Sequence, residues 1–169
     1  TWMREFAEMV KATVPDTVQN WKKWYRFPHR TAPVKIALDE WGIWEQQEPP
    51  YGTTNTYEWR HGLATACFLN AILHNAEHIG MANWAQMVNI LAPIMTNSQT
   101  SVKQTVFFPL KEYRKQSLKE SVQAKAQSPI IEKGLQSINV SATVDRDKKL
   151  MTVNIVNINP QALKTKLRF

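Results

Sequence analysis

The residues of this chain best suited to chemistry are Asp39 and Glu40. These two carboxylates end the run Lys35-Ile36-Ala37-Leu38 and are followed by Trp41 and Trp44. Pro33 before and Gly42 after bound the run, and a short apolar run between breakers reads as a buried strand. A carboxylate leaving such a strand beside indole rings is a common way to meet a sugar. The aromatic faces stack on the ring while the acid works at the anomeric carbon. The competing reading is an ordinary ion pair between one of these acids and a Lys or Arg at the strand end. Adjacent strand residues face opposite ways, so a regular strand sends only one of the two carboxylates into a site.

The elements around this pair follow from periodicity. Residues 2–12 and 16–26 carry apolar residues at helical spacing, and residues 27–33 form a loop. A strand over 34–41 is followed by a long polar loop at 45–56, with Glu48-Pro49-Pro50-Tyr51-Gly52 at its centre. Residues 58–76 read as a helix whose stripe runs Leu69, Ile72, Leu73 and Ala76. A second short apolar strand follows at 78–83, so 34–83 has the order of one parallel βαβ unit. Beyond residue 100 the pattern changes. Residues 102–108 read as a strand, 110–117 as a short helix and 117–136 as a surface connection. Ile138, Val140, Ala142 and Val144, then Met151, Val153 and Ile155, alternate with mostly polar residues around Asp145-Arg146-Asp147-Lys148. That pattern predicts a β-hairpin with one buried face.

Composition narrows the classes. A chain of 169 residues holds an ordinary domain, but a complete eight-stranded α/β barrel takes about 250. The net charge of +7 comes from 21 Lys and Arg against 14 Asp and Glu. These basic residues are scattered, dense only at Lys148-Lys149 and Lys164–Arg168, with no basic face interleaved with aromatics. Nucleic acid is therefore not an expected partner. The single cysteine, Cys67, lies in the apolar helix and reads as a small buried hydrophobe. No signal peptide and no membrane-spanning run is visible, so no membrane is expected; location stays open, with the cytoplasm favoured over secretion. His61, His74 and His78 surround the predicted helix without a convincing third ligand, so no metal is expected. The five glycines form no phosphate loop, and no cofactor is expected.

Three ordered segments carry a resemblance: Asp39-Glu40-Trp41-Gly42-Ile43-Trp44, then the run from Met81 through Trp84, Gln86 and Asn89 to Ile94, and finally Gln104-Thr105-Val106-Phe107-Phe108-Pro109-Leu110. Together they resemble the family 51 α-L-arabinofuranosidases. The resemblance implies the last part of a (β/α)8 TIM barrel followed by part of a C-terminal β-sandwich, an α/β plus β fold. Residues 1–99 would belong to the barrel and 100–169 to the sandwich, with 35–41 and 78–83 as the last two barrel strands. It further implies a retaining glycoside hydrolase acting on arabinose-containing oligo- or polysaccharides such as arabinoxylan and arabinan, commonly a homo-oligomer. By position in the motif Glu40 would be the nucleophile. Trp44 would line the arabinose subsite, and Gln86 would donate a hydrogen bond near the ring or the nucleophile. The family's acid/base sits in an Asn-Glu motif on an earlier strand, and no such pair precedes residue 40. The partner would be the remainder of the barrel, in the same or a second chain, and the chain alone should be close to inactive. Two departures stand out. Gly42 replaces the family's usual Asn, which should loosen the turn, and Glu45 replaces its usual Tyr. The alternatives are a related barrel hydrolase for another glycan, or a non-catalytic carbohydrate- or protein-binding module.

Overall fold

The computed structural model describes residues 35–44, 56–132 and 135–168. The expected helices at 2–12 and 16–26, the loop at 27–33, Glu45 and nearly all of the loop at 45–56 lie outside the described residues. Nine strands and two helices appear among the described residues.

The first unit is built as predicted. Strand β1 (Ile36–Trp41) leads to helix α1 (Trp59–His74) and then to strand β2 (Ile79–Trp84), and β1 pairs with β2 in parallel. Parallel neighbours need a crossover connection, and α1 supplies it. Most apolar residues of both strands lie on the α1 side: Ile36, Leu38, Trp41, Ile79, Ala82 and Trp84 share one cluster with Ala64, Phe68 and Ile72. Those three helix residues are spaced four apart and so lie along one face.

The opposite side of α1 is also covered, which the predicted stripe did not anticipate. Leu63, Ala66 and Cys67 pack with Tyr113, Val156 and Ile158. Leu69 and Leu73 are only half-buried, whereas Thr65 and Asn70 are fully enclosed. A helix packed on two sides buries more than one stripe, and its polar positions then need internal partners.

Downstream, β3 (Ile94–Thr96) and β4 (Ser101–Lys103) form an antiparallel hairpin whose turn contains residues 99 and 100. The predicted strand over 102–108 therefore ends early. Helix α2 (Phe107–Gln116) begins inside it, through a turn in which the Phe107 N–H donates to the Gln104 carbonyl at 3.0 Å. Pro109 is tolerated there because the first turn of a helix has N–H groups without intrahelical acceptors.

The connection predicted over 117–136 contains strand as well as surface. It holds β5 (Glu120–Val122), β6 (Ile130–Glu132) and β7 (Leu135–Gln136); β6 pairs antiparallel with β7. The final hairpin comprises β8 (Ile138–Asp145) and β9 (Leu150–Asn157), with Asp145 paired to Leu150 across the turn. Because β5 adds to the other edge of β8, the sheet order is β5-β8-β9 and β8 is central. Its residues 141–145 are buried on both faces rather than one. The residues expected to meet solvent, Ser141, Thr143 and Asp145, are each 3% exposed or less.

That polar face is where the sheet meets the helices. The Ser141 hydroxyl donates to Asn70 Oδ1, Asn70 Nδ2 donates to Asn139 Oδ1 at 2.6 Å, and the Tyr113 hydroxyl donates to Asn70 Oδ1 at 2.7 Å. Asn70 thus ties α1 to α2 and to β8. What the described residues contribute to an α/β layer is one βαβ unit; they assemble no barrel, and beyond that unit they are built mainly of short strands around one further helix, α2.

Candidate active site

A register shift between Leu38 and Trp41 shapes the exit of β1. Leu38 is paired with Ala82, but the next pair is Trp41 with Trp84, so β1 spends one more residue than β2 over this step. The extra residue falls at Asp39–Glu40. An inserted residue of this kind bends a strand and re-aims its side chains, and bulges recur at barrel rims and beside active sites. The bulge keeps Trp41 on the buried side with Leu38, where simple alternation would turn it away. It leaves Asp39 and Glu40 both exposed. The ion-pair reading meets no support: among the described residues neither carboxylate has a hydrogen bond or salt bridge.

The parallel ladder carries on past the bulge. The Ala85 N–H donates to the Trp41 carbonyl at 3.0 Å, so Gln86 follows β2 at the same end at which Glu40 leaves β1. Gln86 is exposed, and the peptide bond preceding it is cis. Trp44 lies beyond the buried Ile43 and is 66% exposed, and Met87 beside Gln86 is 80% exposed. Glu40, Trp44 and Gln86 therefore share one end of a pair of adjacent parallel strands. A carboxylate, an indole face and an amide donor there can meet a sugar ring through charge, stacking and hydrogen bonding.

Beneath this exposed rim is a polar framework that sequence reasoning passed over. The Tyr57 hydroxyl lies 3.0 Å from both the Ile43 and the Leu91 carbonyl oxygens. Trp84 Nε1 donates to the same Leu91 carbonyl at 2.9 Å. Gln104 Nε2 donates to the Ala92 carbonyl at 2.8 Å, and its Oε1 accepts the Tyr57 N–H at 2.9 Å. Asn89 and Ile90 hold positive φ values of 60° and 55°. Such a conformation is tolerable for Asn and strained for a β-branched residue. A single sequence signal points at this framework: Gln104, a polar residue two positions before the apolar run Val106-Phe107-Phe108.

The φ of Gly42 lies outside the left-handed region, so the backbone there does not require glycine. A Cβ there would sit 3.4 Å from Trp84 Cε2 and Cζ2, an ordinary contact. The histidines have structural partners. His61 Nδ1 accepts the Glu58 N–H at 2.7 Å, His74 Nε2 lies 2.7 Å from the Val140 carbonyl oxygen, and His78 lies 3.2 Å from Glu77. Among the described residues no three of His, Cys, Asp and Glu converge on a metal position, and no helix there is long and apolar enough to cross a membrane.

Residues 39–167 match the family model described as the α-L-arabinofuranosidase C-terminal domain. The chain belongs to that family. Within this C-terminal domain family, the match to the Aspergillus niger protein named probable α-L-arabinofuranosidase C is 38% identical over 77 residues, 44% of this chain and 15% of that protein. The Streptomyces lividans intracellular exo-α-(1→5)-L-arabinofuranosidase is 26% identical over 140 residues, 73% of this chain and 21% of that enzyme. Among solved structures, a family 51 α-L-arabinofuranosidase from Bifidobacterium longum superposes with a TM-score of 0.77 at 20% identity, over 95% of this chain and 36% of its own. That likeness is one of fold. The resemblance carried by the three sequence segments is thus met at the level of the family, with this chain matching about a fifth or less of the length of the curated relatives above.

Proposed function

We propose that this chain is the C-terminal part of a retaining α-L-arabinofuranosidase in which Glu40 is the nucleophile. Residues to about 99 would complete the catalytic barrel and 100–169 would contribute to a β-sandwich. The observation that carries the reading is the bulged exit of β1, which leaves Glu40 unpaired among the described residues at the same strand end as Gln86 and Trp44. A retaining mechanism needs a second carboxyl group about 5–5.5 Å away as acid/base. That group would come from the part of the protein outside this chain, so the chain alone would be inactive.

In the reaction the Glu40 carboxylate attacks the anomeric carbon as the acid/base protonates the departing oxygen. A glycosyl ester forms and the glycosidic bond breaks. Water, losing its proton to the same acid/base, then attacks that carbon and frees arabinose and the Glu40 carboxylate. The substrate would be an arabinose-containing oligo- or polysaccharide, and the complete enzyme would be a homo-oligomer.

The test uses the complete protein and a p-nitrophenyl α-L-arabinofuranoside. Glu40→Gln should lower kcat by on the order of 10⁴-fold or more, with Asp39→Asn far milder. Glu40→Ala supplied with azide should yield the arabinosyl azide of inverted configuration, because azide then replaces the missing nucleophile. Retained turnover in Glu40→Gln would sink the assignment. Sugar binding without turnover in the wild-type protein would favour a non-catalytic binding module.

A further inference from the structure

Trp44 and Gln86, the residues proposed to hold the sugar, are both exposed at the ends of strands and have little of their own to fix them. Behind each lies a backbone carbonyl, Ile43 behind Trp44 and Leu91 behind the Gln86 loop. One side chain reaches both. We propose that Tyr57 is a positioning residue for the glycosidase reaction, its hydroxyl clamping the loop that carries Trp44 to the loop that carries Gln86.

The geometry is specific. A phenol has one proton and stands 3.0 Å from each of the two carbonyl oxygens. Trp84 Nε1 also donates to the Leu91 carbonyl at 2.9 Å, which keeps that oxygen satisfied when the tyrosine proton is shared with Ile43. Tyr57 is itself held. Its ring is buried, edge-on to His61 at 5.5 Å and to Trp84 at 6.0 Å between centroids. Its N–H donates to Gln104 Oε1, and its carbonyl accepts from the Thr105 hydroxyl at 3.0 Å. Gln104 fastens the same loop a second time, through Ala92. The loop after β2 is thus anchored along its back at Leu91 and Ala92, while Gln86 and Met87 at its front stay open. Reacting groups must be held to a fraction of an ångström, and a remote displacement of about 1 Å can cost about 10²-fold in rate. A buried phenol bridging two rim loops supplies that stiffness.

This inference rests on the proposed glycosidase reading, and the test separates the two. In the complete enzyme, Tyr57→Phe keeps the ring and removes only the bridging hydroxyl. It should lower kcat/KM by about 10- to 100-fold, while 4-aminophenylalanine at position 57, which restores a donor, should recover most of the loss. The decisive readout is a double-mutant cycle with Gln86→Ala. If Tyr57 acts by placing the Gln86 loop, Tyr57→Phe costs little more once Gln86 is gone. Activity of Tyr57→Phe within twofold of wild type, or a loss of full size in the Gln86→Ala background, overturns the proposal. Should Tyr57→Phe fail to fold, Gln104→Met carries the same cycle through the Ala92 anchor, with the same two outcomes. A Glu40→Gln protein that retains turnover refutes the glycosidase reading instead, whatever Tyr57 does.

Discussion

At the scale of single residues, close approach separates glycines that the sequence shows alike. Gly62 faces the Thr105 carbonyl, and a Cβ there would stand 3.2 Å from that oxygen. This backbone atom cannot swing aside. Gly62→Ala should therefore destabilise by about 1–2 kcal/mol despite the better helix propensity of alanine. Gly42→Ala meets the edge of the Trp84 ring and the Ala85 carbonyl, all at ordinary distance, and should stabilise by about 0.4–1 kcal/mol through the unfolded chain. Urea midpoints of the two variants should move in opposite directions. At the β8–β9 turn, Lys149 holds φ at 55°, a conformation that costs a side-chain-bearing residue about 1–2 kcal/mol. Lys149→Gly should recover about 0.5–1 kcal/mol of this, net of the entropy glycine loses. Residue types were legible from the chain, including both carboxylates and Gln86. Their exposure was not, because a one-residue bulge at 39–40 leaves no mark in an alternation pattern this short.

Among the elements, α1 decides how the rest is arranged, and its periodicity shows only half of the reason. The face with Ala64, Phe68 and Ile72 reads as apolar and covers β1 and β2. The face with Asn70 reads as solvent-directed, yet meets β8 through hydrogen bonds to Asn139 and Ser141. A polar seam of this kind cannot be told from two wet surfaces in sequence, since each side carries the composition of an exposed face. Its cost appears on removal. Asn70→Leu keeps volume but takes the acceptor from the Ser141 hydroxyl and the donor from Asn139 Oδ1, leaving the Tyr113 hydroxyl only the Ala66 carbonyl at 3.1 Å, and should destabilise by about 1–3 kcal/mol in urea denaturation. Beside this seam, burial pushes the Cys67 thiol up to about 12 and, with Cys67 adjacent, raises the Tyr113 phenol too. A thiol in the unfolded chain ionises near 8.5. Between there and about 12 the unfolded state therefore binds fewer protons than the native one, so Cys67 makes stability fall as pH rises through that window and leaves it unaffected below. Cys67→Ala should flatten the alkaline decline. In the native protein at pH 8, Cys67 should react with a disulfide reagent only at the rate of unfolding.

For the molecule as a whole, the order of elements was readable and the closure was not. The βαβ unit and the final hairpin follow from local periodicity. The meeting of α1 with β8 joins residues about seventy positions apart, and no local pattern encodes such a contact. Part of the surface of the described residues is apolar: Trp44, Trp59, Met87, Val102, Phe108 and Ile130 are each more than half exposed. Parallel strands are ordinarily covered on both faces, yet β1 and β2 stand as a two-stranded pair among the described residues, with the only apolar cover on the α1 side. Parallel edges and indoles that no other part of a chain covers recruit whatever fits them. The 169-residue chain expressed alone should therefore sediment as concentration-dependent assemblies and enhance the fluorescence of an apolar dye, while the complete protein does neither at the same concentration. A monodisperse, dye-silent 19.5 kDa species would mean that these strands and rings are covered within the chain, and that the proposed dependence on the remainder of a barrel is wrong.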